Sequence, residues 1–243
     1  DLAAYLVAQG FGTSQIWVME ALGGPREKCW NIVADEPDIQ QIFDLVCVAV
    51  DVTGGLGLPR SCGLSDDLFD HDGQITKRPI RALTLSALAP RPGEVLWDIG
   101  SGSGSVAVEF LLAAMGSIAY AVEADAGRAA RARGNAESFG VGHRYILTED
   151  RAPDGLANLP PPNVVFIGGG ASQALFEAVW QRLPNSGRLV VNAVTLETEA
   201  LLTAWHGTKG GTMLRIELAE AQPLGTRRGW QPMRPVVQWS VVK

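Results

Sequence analysis

A glycine-rich turn directly after an apolar run is the feature that most constrains the fold of this chain. Residues 95–105 read Val-Leu-Trp-Asp-Ile-Gly-Ser-Gly-Ser-Gly-Ser, so a buried strand is predicted to end where Gly100, Gly102 and Gly104 form a turn. Glycines leave room for a ligand close to the backbone, and the helix predicted from Ser105 directs its free N–H groups and its positive dipole end at that ligand. The sequence therefore predicts a nucleotide-type cofactor site at this turn.

A second apolar run ends in an acidic residue. Positions 118–123 read Ile-Ala-Tyr-Ala-Val-Glu, which places Glu123 at the end of the next predicted strand. Nucleotide-binding folds have an acidic side chain about 20 residues after the glycine turn, where its carboxylate binds the ribose hydroxyls. The spacing thus favours a cofactor that contains ribose.

Two cofactor classes use such a turn, and the glycines alone do not separate them. A dinucleotide fold requires Gly-x-Gly-x-x-Gly or Ala: counted from Gly100 the last position is Ser105, which fails, and counted from Gly102 it is Ala107, which fits. Asp98 favours S-adenosylmethionine instead, because a carboxylate beside the turn attracts an ammonium group and repels a pyrophosphate.

Predicted strands and helices alternate from residue 74 onward. Such alternation is typical of a parallel sheet covered by helices on both faces, so the predicted fold class is α/β and Rossmann-like. Ligands bind such sheets at the carboxyl ends of the strands, where Asp98, Glu123, Asp150 and Gly168 are expected to meet. The predicted strands cover residues 95–99, 118–123, 144–148, 163–167, 188–191, 212–219 and 235–242, and the predicted helices cover 76–89, 105–115, 172–182 and 196–205, with an Ala/Arg-rich helix that ends at Gly140.

Composition narrows the class of protein. With 47% hydrophobic and 19% charged residues among 243, the chain can bury a large core, and no apolar run reaches the roughly 18 residues that a membrane span needs. The cysteines Cys29, Cys47 and Cys62 form no Cys-x-x-Cys pair, which favours reduced thiols and a cytoplasmic location. The three histidines are scattered, so no metal site is predicted.

Residues 1–60 lie outside the alternating pattern. A short helix at 2–9 and apolar strands at 16–19 and 45–50 are predicted there, with no cofactor turn and no acid–base cluster. A segment of this size buries surface poorly on its own. We therefore expect residues 1–60 to be a fragment of another domain with a linker, and residues 61–243 to form the cofactor domain.

A family resemblance rests on several stretches in addition to the turn. They are Gln-Ile-Thr-Lys at 74–77 with Arg81, the residues 96–109, Asp-Arg-Ala-Pro at 150–153, Phe-Ile-Gly-Gly-Gly at 166–170 and Gly-Arg-Leu-Val-Val-Asn-Ala at 187–193. Together these stretches resemble the decarboxylating precorrin C5,15-methyltransferases of cobalamin biosynthesis, in their C-terminal half. The resemblance implies a class I S-adenosylmethionine-dependent methyltransferase over residues 61–243, with a mostly parallel seven-stranded sheet. It also implies that residues 1–60 end an N-terminal methyltransferase domain of class III.

The resemblance implies which residues contact S-adenosylmethionine. Thr76 offers a hydroxyl and is also expected to cap the helix at 76–89, and Glu123 is expected to bind the ribose. Asp150 and Ala152 are expected beside the adenine, where one accepts from the exocyclic amine and the other donates a backbone N–H. The predicted cofactor-binding residues are Thr76, Asp98, Gly100, Ser101, Gly102, Ser103, Gly104, Glu123, Asp150 and Ala152.

The substrate that the resemblance implies is a reduced tetrapyrrole rimmed with acetate and propionate groups. The chain has a formal net charge of −6, which would repel such an anion, so local basic clusters are expected to bind it. Arginine suits this task because its planar guanidinium pairs with a carboxylate through two hydrogen bonds. The predicted substrate-binding residues are Arg78, Arg81, Arg227 and Arg228.

The implied reaction is methylation at C15 with loss of carbon dioxide from a ring acetate. An electron-rich ring carbon would attack the methyl group directly, so the protein is expected to align the reactants and exclude water, and no catalytic side chain is identified. The resemblance further implies a homo-oligomer, with a tetramer as the form that the family suggests. No nucleic-acid or membrane partner is expected.

Other functions remain open at this stage. An RNA methyltransferase of the same fold would need a basic groove with stacking aromatics, which the sequence pI of about 5.1 disfavours. A non-catalytic S-adenosylmethionine-binding module and a dinucleotide oxidoreductase are the further alternatives.

Overall fold

The computed structural model, which describes residues 1–38, 41–42 and 45–243, divides the chain into two compact units. The first unit, Asp1–Leu58, contains the helix α1 (Leu2–Ala8) and the strands β1 (Gln15–Glu20), β2 (Lys28–Val33) and β3 (Val46–Asp51). The strands pair antiparallel in the order β2-β1-β3, and Leu6 of α1 packs against Ile16 and Val18 of β1. The structure confirms the predicted helix and the two predicted strands, whereas β2 was not predicted.

The second unit, Pro59–Lys243, alternates strands and helices as predicted. Two differences from the predicted pattern lie near its C-terminal end: β9 ends at Ile216 instead of residue 219, and residues 219–232 form an unpredicted hairpin. The elements are α2 (Arg78–Leu88), β4 (Val95–Ile99), α3 (Ser105–Ala113), β5 (Ile118–Glu123), α4 (Ala126–Ser138), β6 (Tyr145–Glu149), β7 (Val164–Ile167), α5 (Gln173–Arg182), β8 (Arg188–Ala193), α6 (Leu196–Lys209), β9 (Thr212–Ile216), β10 (Ala219–Leu224), β11 (Arg227–Pro232) and β12 (Val236–Val242).

Seven strands of this unit form one sheet in the order β6-β5-β4-β7-β8-β12-β9. The five strands from β6 to β8 are parallel, and β12 runs antiparallel to both of its neighbours, β8 and β9. The predicted mostly parallel, seven-stranded α/β fold is therefore confirmed. The strand order reverses at β4, since β5 lies on one side of it and β7 on the other, and ligands of doubly wound sheets bind at such a reversal.

Alternate residues of β4 face two separate apolar layers. Leu96 joins a layer with residues of α2, α3 and α4, including Leu85, Phe110 and Ala132, whereas Trp97 joins a layer with residues of α5 and α6. Both faces of the sheet are thus covered, which is why its strands are apolar at successive positions. No helix in the described ranges is both long enough and apolar enough to cross a membrane.

The helix at the start of this unit begins later than predicted. Arg78 is its first residue and Lys77 occupies the N-cap position without a capping hydrogen bond from its side chain. The prediction that Thr76 caps this helix is therefore wrong. Pro79 in the first turn removes one N–H donor that a cap would otherwise have to satisfy.

Arg81 lies in the core, so its predicted role in substrate binding is wrong. Its side chain is fully buried and pairs with Glu109 (Nε to Oε1, 2.5 Å) and with Asp66 (Nη1 to Oδ1, 2.9 Å). Glu109 also accepts hydrogen bonds from the backbone N–H groups of Gly63 and Leu64. The arginine therefore holds the segment before α2 against α3, and none of its charge faces solvent.

We expect Arg81→Met to lower the free energy of unfolding by about 3–5 kcal/mol, because it leaves the buried Glu109 carboxylate without its cation. Arg78→Met is the matched control, since Arg78 is exposed on the same helix and should change stability by less than about 0.5 kcal/mol. Urea denaturation of the two variants measures both values. Equal stabilities would contradict the structural role of Arg81.

Candidate functional site

The glycine turn after β4 packs directly against the loop that follows β7. The N–H groups of Gly100 and Ser101 donate to the carbonyl of Val122 on β5, at 2.9 and 3.3 Å. Gly100 has a φ of +69°, and a Cβ at this position would lie 2.8 Å from the carbonyl oxygen of Gly169. A side chain at residue 100 would therefore force the two loops apart.

Glu123 connects the end of β5 to the glycine turn. Its carboxylate accepts from the N–H of Gly102 (2.8 Å to Oε2) and from the N–H of Asp125 (2.9 Å to Oε1), and its side chain is mostly buried. A carboxylate offers about four lone-pair positions, so each oxygen keeps one for a further donor. The residue can thus bind two hydroxyl groups while it holds the turn in place.

Asp98 lies behind the turn in a chain of polar groups. Its Oδ2 accepts from the hydroxyl of Ser101 (2.7 Å), and the Ser101 Oγ is 2.8 Å from the hydroxyl of Tyr145. Burial raises the pKa of Asp98 to about 7, and the nearby Glu123 charge acts in the same direction. Within the described residues, Oδ1 of Asp98 is buried without a hydrogen-bond partner. The pKa of Tyr145 is raised by burial and by the charge of Asp98, so this phenol stays protonated.

The turn opens into a cleft of about 940 Å³ at the carboxyl ends of the strands. One part, which we call the turn end, is lined by residues 100–103, Glu123, Ala124 and Arg128, together with residues 150–152. Residues 73–76 form another wall of the cleft. Eight of the ten predicted cofactor-binding residues line the cleft: Thr76, Gly100, Ser101, Gly102, Ser103, Glu123, Asp150 and Ala152. Asp98 and Gly104 are not part of its wall, and Asp98 supports it through Ser101.

The other part of the cleft, which we call the apolar end, has a different lining. Ile80, Ile216 and Val236 form a small apolar cluster with Leu218, and all four line the cleft. Lys77, Asn192 and Arg234 add polar groups to this apolar lining. The apolar end therefore combines an apolar cluster with two cationic side chains.

Asn135 of α4 joins the segment before α2 to the glycine turn. Its side-chain amide donates to the carbonyls of Asp70 (2.9 Å) and Ser103 (2.8 Å), and its Oδ1 accepts from the N–H of Asp70. Nearby, Arg128 pairs with Asp72 (Nε to Oδ2, 2.8 Å). These contacts hold the wall formed by residues 73–76 over the turn end. The sequence reading missed Asn135, because an isolated polar residue in an Ala/Arg-rich helix carries no distinctive pattern.

None of the predicted substrate-binding arginines lines the cleft. Arg78 is exposed at the start of α2, and Arg227 and Arg228 are exposed on the hairpin strand β11, so these three residues line no part of it. The cations that do line it are Lys77, Arg128, Arg151 and Arg234. No group of three or more His, Cys, Asp or Glu side chains within the described ranges is placed to hold a metal ion.

The reversal of strand order at β4, the glycine turn and the acidic end of β5 together define a class I S-adenosylmethionine-dependent methyltransferase fold. The sequence profile described as the precorrin methyltransferase domain matches residues 67–243. The chain belongs to this family, as the resemblance implied.

Individual relatives agree with the family assignment. A protein of Sinorhizobium sp. named precorrin-6Y C(5,15)-methyltransferase [decarboxylating] is 47% identical over all of this chain and 60% of its own length. The C-terminal domain of precorrin-6Y C5,15-methyltransferase from Rhodobacter capsulatus is 50% identical with a TM-score of 0.74, over 76% of this chain and 100% of the solved one. A Pyrobaculum calidifontis protein named "Probable cobalt-precorrin-6B C(15)-methyltransferase (decarboxylating)" is 40% identical over 56% of this chain and 72% of its own length. The chain spans about three fifths of the first of these relatives.

Proposed function

We propose that this chain transfers a methyl group from S-adenosylmethionine to a precorrin and that the same cleft supports the loss of carbon dioxide from a ring acetate. The observation that carries the proposal is that one cleft has the glycine turn and the Glu123 carboxylate at its turn end and an apolar cluster at its other end, with Lys77 and Arg234 also in its lining. The first end suits a cofactor with a ribose and positive charge. The second suits a flat apolar molecule rimmed with carboxylates.

Three features of the turn end fit S-adenosylmethionine. Both oxygens of Glu123 keep a lone pair for the ribose hydroxyls, and the wall at Gly102 carries no side chain that would fill the space. Asp98 lies buried behind the turn and accepts from Ser101, so its negative charge close to the turn favours a cofactor that carries an ammonium and a sulfonium group. We infer that Thr76, Ser101, Ser103, Asp150 and Ala152 complete this binding site, with Asp150 and Ala152 beside the adenine.

Glu123→Ala should weaken the binding of S-adenosylmethionine by about 1.5–3 kcal/mol, or roughly 10- to 150-fold, because the ribose loses an acceptor that carries charge. The loop would also lose its contact at the Gly102 N–H. Glu149→Ala is the control, since Glu149 pairs in register with Glu123 on the neighbouring strand but lies exposed. Calorimetry that gives the same affinity for both variants would exclude Glu123 from the cofactor site.

The apolar end fits a tetrapyrrole through shape and charge. Ile80, Ile216 and Val236 offer a surface against which the face of a macrocycle can pack. We propose that Lys77 and Arg234 bind the carboxylates of its rim, in place of the arginines expected from the sequence. Although the chain is acidic overall, these side chains supply a local positive field where the substrate enters.

The chemistry assigned to the protein is alignment and exclusion of water. S-adenosylmethionine, held by Glu123 and the glycine turn, would supply an electrophilic methyl group to a nucleophilic ring carbon of the substrate. Loss of carbon dioxide leaves an electron pair that the conjugated macrocycle can accept before a proton replaces the carboxylate. The wall of residues 73–76, held by Asn135 and by the Arg128–Asp72 pair, covers the reacting groups.

We further propose that this chain methylates C15 and not C5. The two carbons lie on different edges of the macrocycle, and one rigid cofactor site aligns one carbon at a time, since a misplacement of about 1 Å can cost about 100-fold in rate. The Pyrobaculum calidifontis relative carries only C(15) in its name, whereas the longer Sinorhizobium relative carries C(5,15). We assign residues 1–60 to the end of a class III methyltransferase domain. None of the described residues in this segment lines the cleft.

Mass spectrometry of the product with a labelled methyl donor tests this reaction. Incubated with precorrin-6Y, the chain should add one methyl group and release one molecule of carbon dioxide. Two added methyl groups would contradict the single-carbon proposal. Cofactor binding without any product would favour the non-catalytic module, and salt-sensitive binding of tRNA would favour an RNA methyltransferase.

The β10–β11 hairpin supports the proposal of a homo-oligomer. Within the part of the chain that the structure describes, this hairpin pairs only with itself, and Leu224 and Trp230 are 70% and 76% exposed. An isolated two-stranded hairpin is marginally stable in water, so its apolar side chains are expected to pack against another copy. The cytoplasmic location inferred from the cysteines stays a prediction.

Sedimentation equilibrium should therefore detect an oligomer, and Trp230→Ser should shift the distribution toward monomer because it removes a large exposed aromatic group from the proposed contact. Trp17→Ser, which alters an exposed tryptophan of the first unit, is the matched control. A parent protein that sediments as a monomer would contradict this proposal.

A further inference from the structure

A polar trio lies beside the apolar end of the cleft. Asn192 on β8 and Gln238 on β12 are register partners on antiparallel strands, so their side chains stand on the same face of the sheet. The Gln238 amide donates to Oδ1 of Asn192 (2.9 Å) and to Oγ1 of Thr84 on α2 (3.1 Å). The Asn192 amide donates to the same Thr84 hydroxyl (2.9 Å), which in turn donates to the carbonyl of Ile80.

Two members of the trio are buried between apolar elements. Thr84 is fully buried and Gln238 is 5% exposed, whereas Asn192 is half-buried and lines the cleft. Buried amides stabilise a core less well than aliphatic residues unless their hydrogen bonds are satisfied. Here both amides donate to the Thr84 hydroxyl, and Gln238 also donates to Asn192, the one member of the trio that reaches the cleft.

The trio sets the orientation of the Asn192 amide. Oδ1 faces the donor on Gln238, and Nδ2 faces the Thr84 oxygen, whose own hydrogen is donated to Ile80. A rotated Asn192 amide would bring its N–H groups against those of Gln238, so the orientation with Oδ1 toward Gln238 is favoured. One N–H of Asn192 and one lone pair of its Oδ1 consequently remain for a ligand.

Strand register places Asn192 in the same row of residues as the start of the glycine turn. Ile99, Ile167 and Val191 are aligned across β4, β7 and β8, so the next row contains Gly100, Gly168 and Asn192. Two strand spacings separate Asn192 from Gly100, or roughly 10 Å between their Cα atoms. Asn192 therefore lies at the same sheet edge as the turn, and it lines the same cleft as Lys77 and Arg234.

We propose that Asn192 binds a carboxylate of the tetrapyrrole through its free Nδ2–H, and that Gln238 and Thr84 are positioning residues for this contact. The inference rests on the proposed function, because it takes the occupant of the apolar end to be an anionic macrocycle. An oriented neutral donor fixes one carboxylate in direction, whereas Lys77 and Arg234 supply charge. Asn192 thus determines which edge of the macrocycle faces the turn.

Asn192→Ala should raise the KM for precorrin-6Y about 10- to 100-fold, the effect expected when a hydrogen bond to a charged group is lost. Asn192→Asp should raise it further, because it replaces the donor by a negative charge of nearly the same shape. The affinity for S-adenosylmethionine, measured by calorimetry, should not change. Asn185→Ala, at the exposed turn before the opposite end of β8, is the matched control.

Gln238→Glu tests the positioning role. The substitution keeps the size of the side chain but removes both N–H donors. The Asn192 amide is then expected to rotate, so that its Nδ2 donates to the carboxylate at position 238 and its Oδ1 faces the carboxylate of the substrate. The KM should rise although residue 238 does not line the cleft, while the melting temperature and cofactor affinity should show whether the fold is intact. An unchanged KM in both Asn192 variants, or a KM that rises only in step with the cofactor Kd, would overturn the proposal.

A separate binding measurement keeps the two proposals distinguishable. Uroporphyrin, a stable tetrapyrrole rimmed with acetate and propionate groups, can be titrated against the full chain by fluorescence quenching. If the parent protein binds uroporphyrin and Asn192→Asp does not, the inference holds even when no precorrin is turned over. If both bind it equally, the inference fails even when the proposed reaction is observed.

Discussion

The parallel pairing of β4 with β5 on one side and β7 on the other is the constraint on which the site depends. The crossovers from these strands pass over opposite faces of the sheet, so no helix lies between the loops that follow β4 and β7, and the cleft opens beside them. Aligned register brings Ile99 level with Val122 and with Ile167, and the next residues of each strand therefore meet at one edge. Gly100 can then pack against Gly169, and Glu123 can reach the N–H of Gly102.

Two carboxylates that lie close together mark the turn end of the cleft that this edge forms. Asp98 and Glu123 lie close enough for each charge to oppose the other, and burial raises the pKa of Asp98 to about 7. A cationic ligand at the turn end would offset the repulsion between Asp98 and Glu123 and would lower the pKa of Asp98, because it stabilises the ionised form of both carboxylates. At the apolar end, Lys77 and Arg234 have no such acidic pair among the lining residues beside them. The two buried carboxylates and the two apolar-end cations thus lie in different parts of one cleft region, as the proposed pairing of a cationic methyl donor with an anionic acceptor requires.

The sequence predicted those parts of the site that lie on one local element. The glycine turn, Glu123 and the strands of the sheet follow from apolar runs and from the glycine or acidic residues that end them. Most predicted cofactor residues line the cleft. The prediction for Arg81 was wrong because it considered the charge of the residue and not its position around the helix. Arg81 lies on the buried face of α2, which also carries Ile80, Thr84, Leu85 and Leu88. The β10–β11 hairpin was missed because its strands carry prolines and charges and bury no face. Asn192 sits in an apolar run, and only the pairing with Gln238 reveals its partners.

Helix α2 shows why the fold and the proposed recognition of substrate are hard to separate. Its buried face carries Arg81, whose ion pairs hold the segment before the helix, and Thr84, whose hydroxyl orients Asn192. Lys77 and Ile80, at its N-terminal end, line the cleft directly. A rotation of this helix by one residue, about 100°, would move Lys77 out of the cleft. The same rotation would break the hydrogen bond between Thr84 and Asn192. The ion pairs of Arg81 oppose that rotation, so a residue that cannot touch a ligand still determines which side chains can.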